Sequence, residues 1–293
     1  MSDIKKVVFS TEQKKPVKSV IKNKALEIVF VCAVDCEYKR FLEYLYDNGI
    51  VFVEDNDTQL SGFSRQLFLL DDGVEQHLCL VVKQKADGMV PCAFLCAKIM
   101  EYKPKLVVMC GICGGVPKKV KRGDLVIVDK TYDYGAGKYT EDGTFRPKYA
   151  HIKLGNSRLE EACINASDML DELKDRINQD IYDLPLMNGG YKKAGKDDIV
   201  VHMGMMVTGA AVVNCKSIID DITRRQRDVI AYDMEAYALA YMCDGDNVPW
   251  LVVKGVQDLA DTPDSEKDEY NRLAAYLSAA FVIEAVKNYM GKI

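Results

Sequence analysis

Residues 228–243 read DVIAYDMEAYALAYMC, and how this stretch folds decides the architecture. The run DVIAY has the character of a buried strand. AYALAYMC has that of a helix packed on a core. Two acids, Asp233 and Glu235, flank Met234 where one hands over to the other. Charge at a buried junction is costly unless something binds it. The junction is therefore a candidate site as well as a structural boundary.

The same alternation extends in both directions. LEIVFVCA (26–33) is a continuous apolar run after Glu27, as expected of a strand covered on both faces, and DCEYKRFLEYLYDN follows with helical spacing of Tyr38, Phe41, Leu42 and Leu45. RQLFLLDDGVEQHLCLVVKQK reads as a hairpin turning at Asp71-Asp72-Gly73. DGMVPCAFLCAKIMEYKP predicts a helix with Pro91 in its first turn. KLVVMC, DLVIVDKTYDYG, DIVVHMGMMVTG (198–209) and WLVVKGV read as strands. Helical spacing marks 156–179, 214–225 and 266–290. Continuously apolar strands joined by helices imply an α/β fold: a parallel or mixed central sheet with helices on both sides. One domain over 25–293 is expected, with an insertion at 180–198, rich in turn residues, and a basic, peripheral or flexible arm at 1–24.

Composition narrows the function. The 293 residues carry 39 basic and 44 acidic side chains, a net charge of -5, which offers no whole-chain case for binding nucleic acid. No apolar run approaches the roughly 18 residues of a membrane span. The Lys-rich N-terminus lacks the apolar core of a secretory signal. Ten cysteines lie mostly in apolar runs, which favours reduced thiols in a cytoplasmic protein. Cys110 and Cys113 form a C-x-x-C, but no second pair has metal-binding spacing and His77, His151 and His202 are scattered. Packing is the favoured reading, with neither metal nor cofactor expected.

Four polar or glycine-rich clusters fall at expected strand ends, where ligands bind in open α/β sheets: Ala33–Glu37, Cys110–Gly115, Met234–Glu235 and Lys254–Asp258. In MCGICGGV the glycines let the backbone approach a ligand at Gly111 and Ile112; the alternative is a tight strand-to-loop turn. In VKGVQDLAD, Asp258 can act as a proton donor or can cap a helix, as can Asp261. Asp35 suits a helix cap, while Glu37 can point into the same cleft.

The spacing of AVDCE, CGICGG with RGDLVIVD, DMEAYA and VVKGVQDLAD resembles the nucleoside phosphorylase superfamily, most closely its 5'-methylthioadenosine/S-adenosylhomocysteine nucleosidase branch, over residues 26–290. The resemblance implies one α/β domain with a mixed, partly barrel-like sheet. It implies cleavage of the N-glycosidic bond between ribose and a purine. Met234 would pack on the ribose, Glu235 would accept its hydroxyl hydrogens, and Asp233 would be an outward-facing or structural neighbour. Asp258 would protonate the leaving base, and Glu37 would hold the attacking water. Members are typically dimers or hexamers, so a homo-oligomer is expected.

The sequence also departs from that branch. Lys254 stands where Arg is usual, Ile112 and Cys113 replace small residues, and Val212 replaces the aromatic that stacks on adenine, leaving Tyr132 or Tyr134 as substitutes. Lys118, Lys119, Lys121, Arg122, Lys130 and Lys138 bring cations near two strand ends. They suit a phosphorylated substrate or a solvated surface, and Lys138 follows a Gly-Ala-Gly turn. The amides of Gly88 and Met89 can serve a phosphate site, but no Arg is nearby and Glu37 would repel the anion. Hydrolysis by water is therefore preferred to phosphorolysis by orthophosphate. An AMP- or ATP-type nucleotide nucleosidase and a non-catalytic purine sensor stay open. The dinucleotide fingerprint of a dehydrogenase is missing.

Overall fold

The computed structural model describes residues 25–54, 60–168, 199–260 and 268–292. The basic arm, the 180–198 insertion, the second half of the 156–179 segment and Asp261 lie outside the described residues. In chain order the elements are β1 (Ile28–Cys32), α1 (Asp35–Asp47), β2 (Val51–Val53), β3 (Ser64–Asp71), β4 (Gln76–Lys83), α2 (Met89–Met100), β5 (Leu106–Gly115), β6 (Leu125–Asp133), β7 (Gly137–Tyr139), β8 (Phe145–Pro147) and β9 (Ile152–Lys153). There follow α3 (Ser157–Asp168), β10 (Val201–Thr208), α4 (Lys216–Arg225), β11 (Val229–Asp233), α5 (Ala236–Gly245), β12 (Trp250–Leu259) and α6 (Asp268–Met290).

The main sheet runs β11-β10-β6-β12-β5-β1-β4-β3-β2, and β11 also pairs with β5. That extra pairing closes β5, β12, β6, β10 and β11 into a barrel, from which β1, β4, β3 and β2 extend as an open wing. The sheet is mixed. β1, β4, β5 and β12 are mutually parallel, as are β6, β10 and β11. The two groups meet antiparallel where β12 pairs with β6 and β11 with β5. Register shifts in the β10–β6, β10–β11 and β12–β5 pairs bend the strands as closure requires.

Burial on both faces explains the apolar strands: β1 is buried along its whole length. The apolar stripe of α6, including Leu273, Leu277, Phe281 and Val286, is almost fully buried. Each such side chain contributes about 1.5–3 kcal/mol relative to exposure.

The strand and helix expectations hold in the described segments, with two corrections. The glycine run of CGICGG is not a loop, because β5 continues through it to Gly115. Likewise β12 continues past WLVVKGV to Leu259, so Asp258 lies within a strand. Neighbouring strands on both sides supply ladder partners for these residues, and that pairing outweighs the turn preference of glycine. The pieces β2, β7, β8 and β9 have two or three residues each, too few to show a period.

Candidate active site

Glu37 lies in the first turn of α1 and reaches back over the end of β1. The Ala33 and Val34 amides donate to its Oε2 at 2.5 and 3.1 Å, and the Ile112 amide donates to Oε1 at 2.8 Å. The bond to Val34, the N-cap residue, is half of a capping box. Asp35, read as a cap, instead pairs with Lys83 at 2.6 Å on the surface. Glu37 dictates the residue beside it: a Cβ at position 111 would fall 1.9 Å from its Oε1, so only glycine fits. Ser278 of α6 then fixes that strand by accepting from the Gly111 amide and donating to the Val253 carbonyl, both at 2.8 Å.

Glu235 approaches from the other side. Gly115 pairs with Ala231 and Gly114 with Tyr232 in antiparallel register, so β11 runs back along β5 and delivers Met234 and Glu235 toward Ile112 and Gly111. The Gly88 amide donates to Glu235 Oε1 at 2.7 Å and Gln84 Nε2 does so at 3.5 Å. Gly88 has φ +102°, the left-handed region that favours glycine, and its open face looks onto the Met234 methyl.

Lys254, level with Gly111 on β12, joins the two acids. Its Nζ lies 3.5 Å from Glu37 Oε1 and 3.9 Å from Glu235 Oε2, and the residue is 0% exposed. Burial alone pulls its pKa down. Glu37, Glu235 and Asp233 outweigh that, so the amine is held protonated well above its usual range. Burial pushes the Glu235 carboxyl up to about 7, against the opposing pull of Lys254 and with help from Asp233 and Glu37.

Asp233 resolves the puzzle of the second acid. It is buried, not outward-facing. Thr208 Oγ1 donates to its Oδ1 at 2.7 Å, and the Ala236 amide donates to Oδ2 at 2.9 Å, capping α5. Burial raises its pKa.

Asp258 sits farther along the crevice. The β12–β5 register jumps from Val256↔Cys113 to Asp258↔Gly114, leaving Gln257 as the extra residue of a bulge. Bulges of this kind re-aim side chains beside active sites. Tyr232 Oη donates to Asp258 Oδ1 and Gln257 Nε2 to Oδ2, each at 3.5 Å. Gly114 lies between them, and a Cβ there would fall 2.2 Å from the Tyr232 ring. Lys254 pairs with Gly111 and Asp258 with Gly114, so the two lie about 10 Å apart along the strand.

The remaining expected residues divide. Ile112 and Met89 are half-buried, Ile112 beside Glu37 and Met89 at the start of α2. Tyr134 is half-buried with its ring laid on Gly209, where a Cβ would fall 2.1 Å from Cζ. Tyr132 is buried in a core cluster. Lys138 is exposed on β7. Val212, expected at the base, is 77% exposed, and its neighbour Val213 is the one that turns inward. Cys110 and Cys113 are buried on one extended strand, with Cys110 Sγ 3.9 Å from Cys32 Sγ. Among the described residues no group of His, Cys, Asp or Glu is arranged to hold a metal. Gln84, Tyr232 and Ser278 were not read from the sequence. A buried serine in the apolar stripe of α6 was the one available signal.

A family model described as the Phosphorylase superfamily matches residues 27–288. The chain belongs to that superfamily. Protein y4jS of Sinorhizobium fredii is 33% identical over 223 residues, covering 73% of this chain and 50% of its own length. The death domain-containing ATP nucleosidase of Amphimedon queenslandica is 25% identical over 282 residues, 89% of this chain and 48% of that protein. The chain thus spans about half the length of these two relatives. The crystal structure of 5'-methylthioadenosine/S-adenosylhomocysteine nucleosidase from Neisseria meningitidis, in complex with methylthio-immucillin-A, superposes with a TM-score of 0.65 at 22% identity, covering 89% of this chain and 99% of that one. It shares the superfamily fold.

Proposed function

We propose that the chain is a purine nucleosidase that hydrolyses the N-ribosidic bond of an adenine nucleoside or nucleotide. One observation carries this reading. The amides of Ala33, Val34 and Ile112 and the Lys254 amine make an anion-binding niche, and the chain's own Glu37 carboxylate fills it. An enzyme that used orthophosphate would need such donors for its co-substrate. With Glu37 held there, a carboxylate is available to orient water instead.

Glu235 and Met234 take the ribose: the carboxylate accepts from its hydroxyls, and the thioether packs on its face. Asp258, at the far end of the crevice, protonates the departing base. Base departure leaves positive charge on the sugar and negative charge on the purine. A carboxylate near the first and an acid at the second divide the work as two carboxyl groups do in glycoside hydrolysis. The ATP nucleosidase and 5'-methylthioadenosine/S-adenosylhomocysteine nucleosidase named among the similar proteins support an adenine-type substrate.

The test is chromatographic release of free base from adenosine, 5'-methylthioadenosine, AMP and ATP, with and without orthophosphate. Release is expected without phosphate, and Asp258→Asn is expected to slow it about 10²–10⁴-fold. A strict phosphate requirement would replace hydrolysis with phosphorolysis, and near-normal turnover by Asp258→Asn would remove Asp258 as the acid.

A further inference from the structure

The hairpin formed by β7 and β8 leaves the C-terminal end of β6. Register places that end close to the ribose-binding junction. Asp133 of β6 pairs with Thr208 of β10, and Thr208 pairs with Asp233 of β11, so the three strand ends are level. At the usual strand spacing, Asp133 and Asp233 lie about 10 Å apart. Met234 and Glu235 follow Asp233 directly, and the hairpin begins four residues after Asp133.

The two faces of the hairpin differ. Tyr139 and Phe145 are cross-strand partners with ring centroids 5.0 Å apart. They line a cavity of about 360 Å³ against α4, and the Arg225 guanidinium lies 5.8 Å from the Phe145 ring centroid. Side chains alternate along a strand, so the next pair in the ladder, Lys138 opposite Arg146, projects from the other face. Both are exposed. Neither side chain makes a hydrogen bond or ion pair with any described residue.

Two cations placed directly opposite each other repel, and that cost invites an anion. The nearby acids in sequence do not supply it: Glu141, three residues from Lys138, is exposed and makes no ion pair with either cation. Asp133 accepts from the Gly135 amide, and Asp142 is bound by the Thr140 and Thr144 hydroxyls and the Thr144 amide. These bonds, with the Lys148 amide donating to the Ala136 carbonyl at 2.8 Å, stiffen the hairpin and preorganise the pair.

We propose that Lys138 and Arg146 form a phosphate clamp that holds the 5'-phosphates of a nucleoside 5'-polyphosphate whose ribose lies at Met234 and Glu235. The inference rests on the nucleosidase reading of that site and selects its substrate class. Two adjacent cations suit a polyphosphate better than a single phosphate, and Arg146 adds a planar fork matched to phosphate oxygens.

Calorimetric binding of adenosine, AMP and ATP separates the possibilities, with Asp258→Asn as the background so that turnover does not intervene. Lys138→Ala/Arg146→Ala is expected to weaken ATP at least tenfold more than adenosine and to flatten the salt dependence of ATP binding. Equal losses for ATP and adenosine, or no loss for either, overturn the clamp. Base release by the otherwise unaltered chain keeps the two readings apart. If no base is released yet ATP binding depends on the two cations, the clamp stands and the nucleosidase reading falls. If base is released and the double variant keeps its preference for ATP over adenosine, the clamp alone falls.

Discussion

Glu235 illustrates how one side chain carries both cost and use. Its carboxyl is buried, faces Lys254, and is pushed up to about 7. The ionised form is acceptor-only and is the better partner for ribose hydroxyls, whereas the protonated form turns one oxygen into a donor. Because this acid titrates near neutrality, the protonated form dominates at pH 6 and the ionised form at pH 8. The KM for adenosine is therefore expected to fall about tenfold as pH rises from 6 to 8. In Glu235→Gln that slope should vanish while KM stays high throughout. Initial rates across this range, with and without the substitution, check it, and an unaltered slope in the variant assigns the titration elsewhere. The sequence shows the acid at a buried junction. It marks Lys254, nineteen residues along the chain, only as a polar residue at a strand end, and does not show that its fully buried amine turns two costly carboxylates into a paired cluster.

Among the elements, α5 depends on a cap that its own N-terminal residue does not supply. Glu235 occupies the N-cap position without capping by its side chain, because that side chain is turned into the crevice. Asp233 supplies the bond instead by accepting from the Ala236 amide, and Thr208 Oγ1 accepts from the Tyr237 amide at 3.0 Å while donating to Asp233. One acid thus faces the crevice and the other holds the helix. Asp233→Ala is expected to cost about 1–2 kcal/mol through the lost cap, plus the penalty for a buried Thr208 hydroxyl left without its acceptor. Urea denaturation measures it. A loss below about 0.5 kcal/mol would mean that α5 is held by packing alone. Both acids are visible in DMEA, yet their division of labour is not, since it depends on Thr208 from a neighbouring strand.

At the scale of the molecule, barrel closure makes the site. Polar clusters at strand ends are expected to gather at one edge of a sheet, and the strands gather them differently. Gly111 lies inside β5, Lys254 lies inside β12, and β11 runs antiparallel to β5 so that its end meets the middle of that strand. Gly114 permits this closure, because the Tyr232 ring occupies the space a Cβ would need. Gly114→Ala is expected to lower stability by about 1–3 kcal/mol through overpacking, and to lower the activity of the folded fraction by displacing Tyr232 from Asp258. Thermal unfolding and base release measured on one preparation check both. Loss of stability with full specific activity would uncouple closure from the site. Hydrophobic periodicity and the acid-bearing segments are local properties of the chain. They sufficed for the α/β class and the order of the long elements, and together with the family resemblance they nominated Glu37, Glu235 and Asp258 as candidates. Strand neighbours and register are not local, since they depend on which distant segments bury each other's faces and complete each other's ladders. Tertiary structure alone therefore decided that the glycine run is a strand, that Lys254 bridges two acids, that Val213 rather than Val212 turns inward, and that Lys138 has Arg146 beside it.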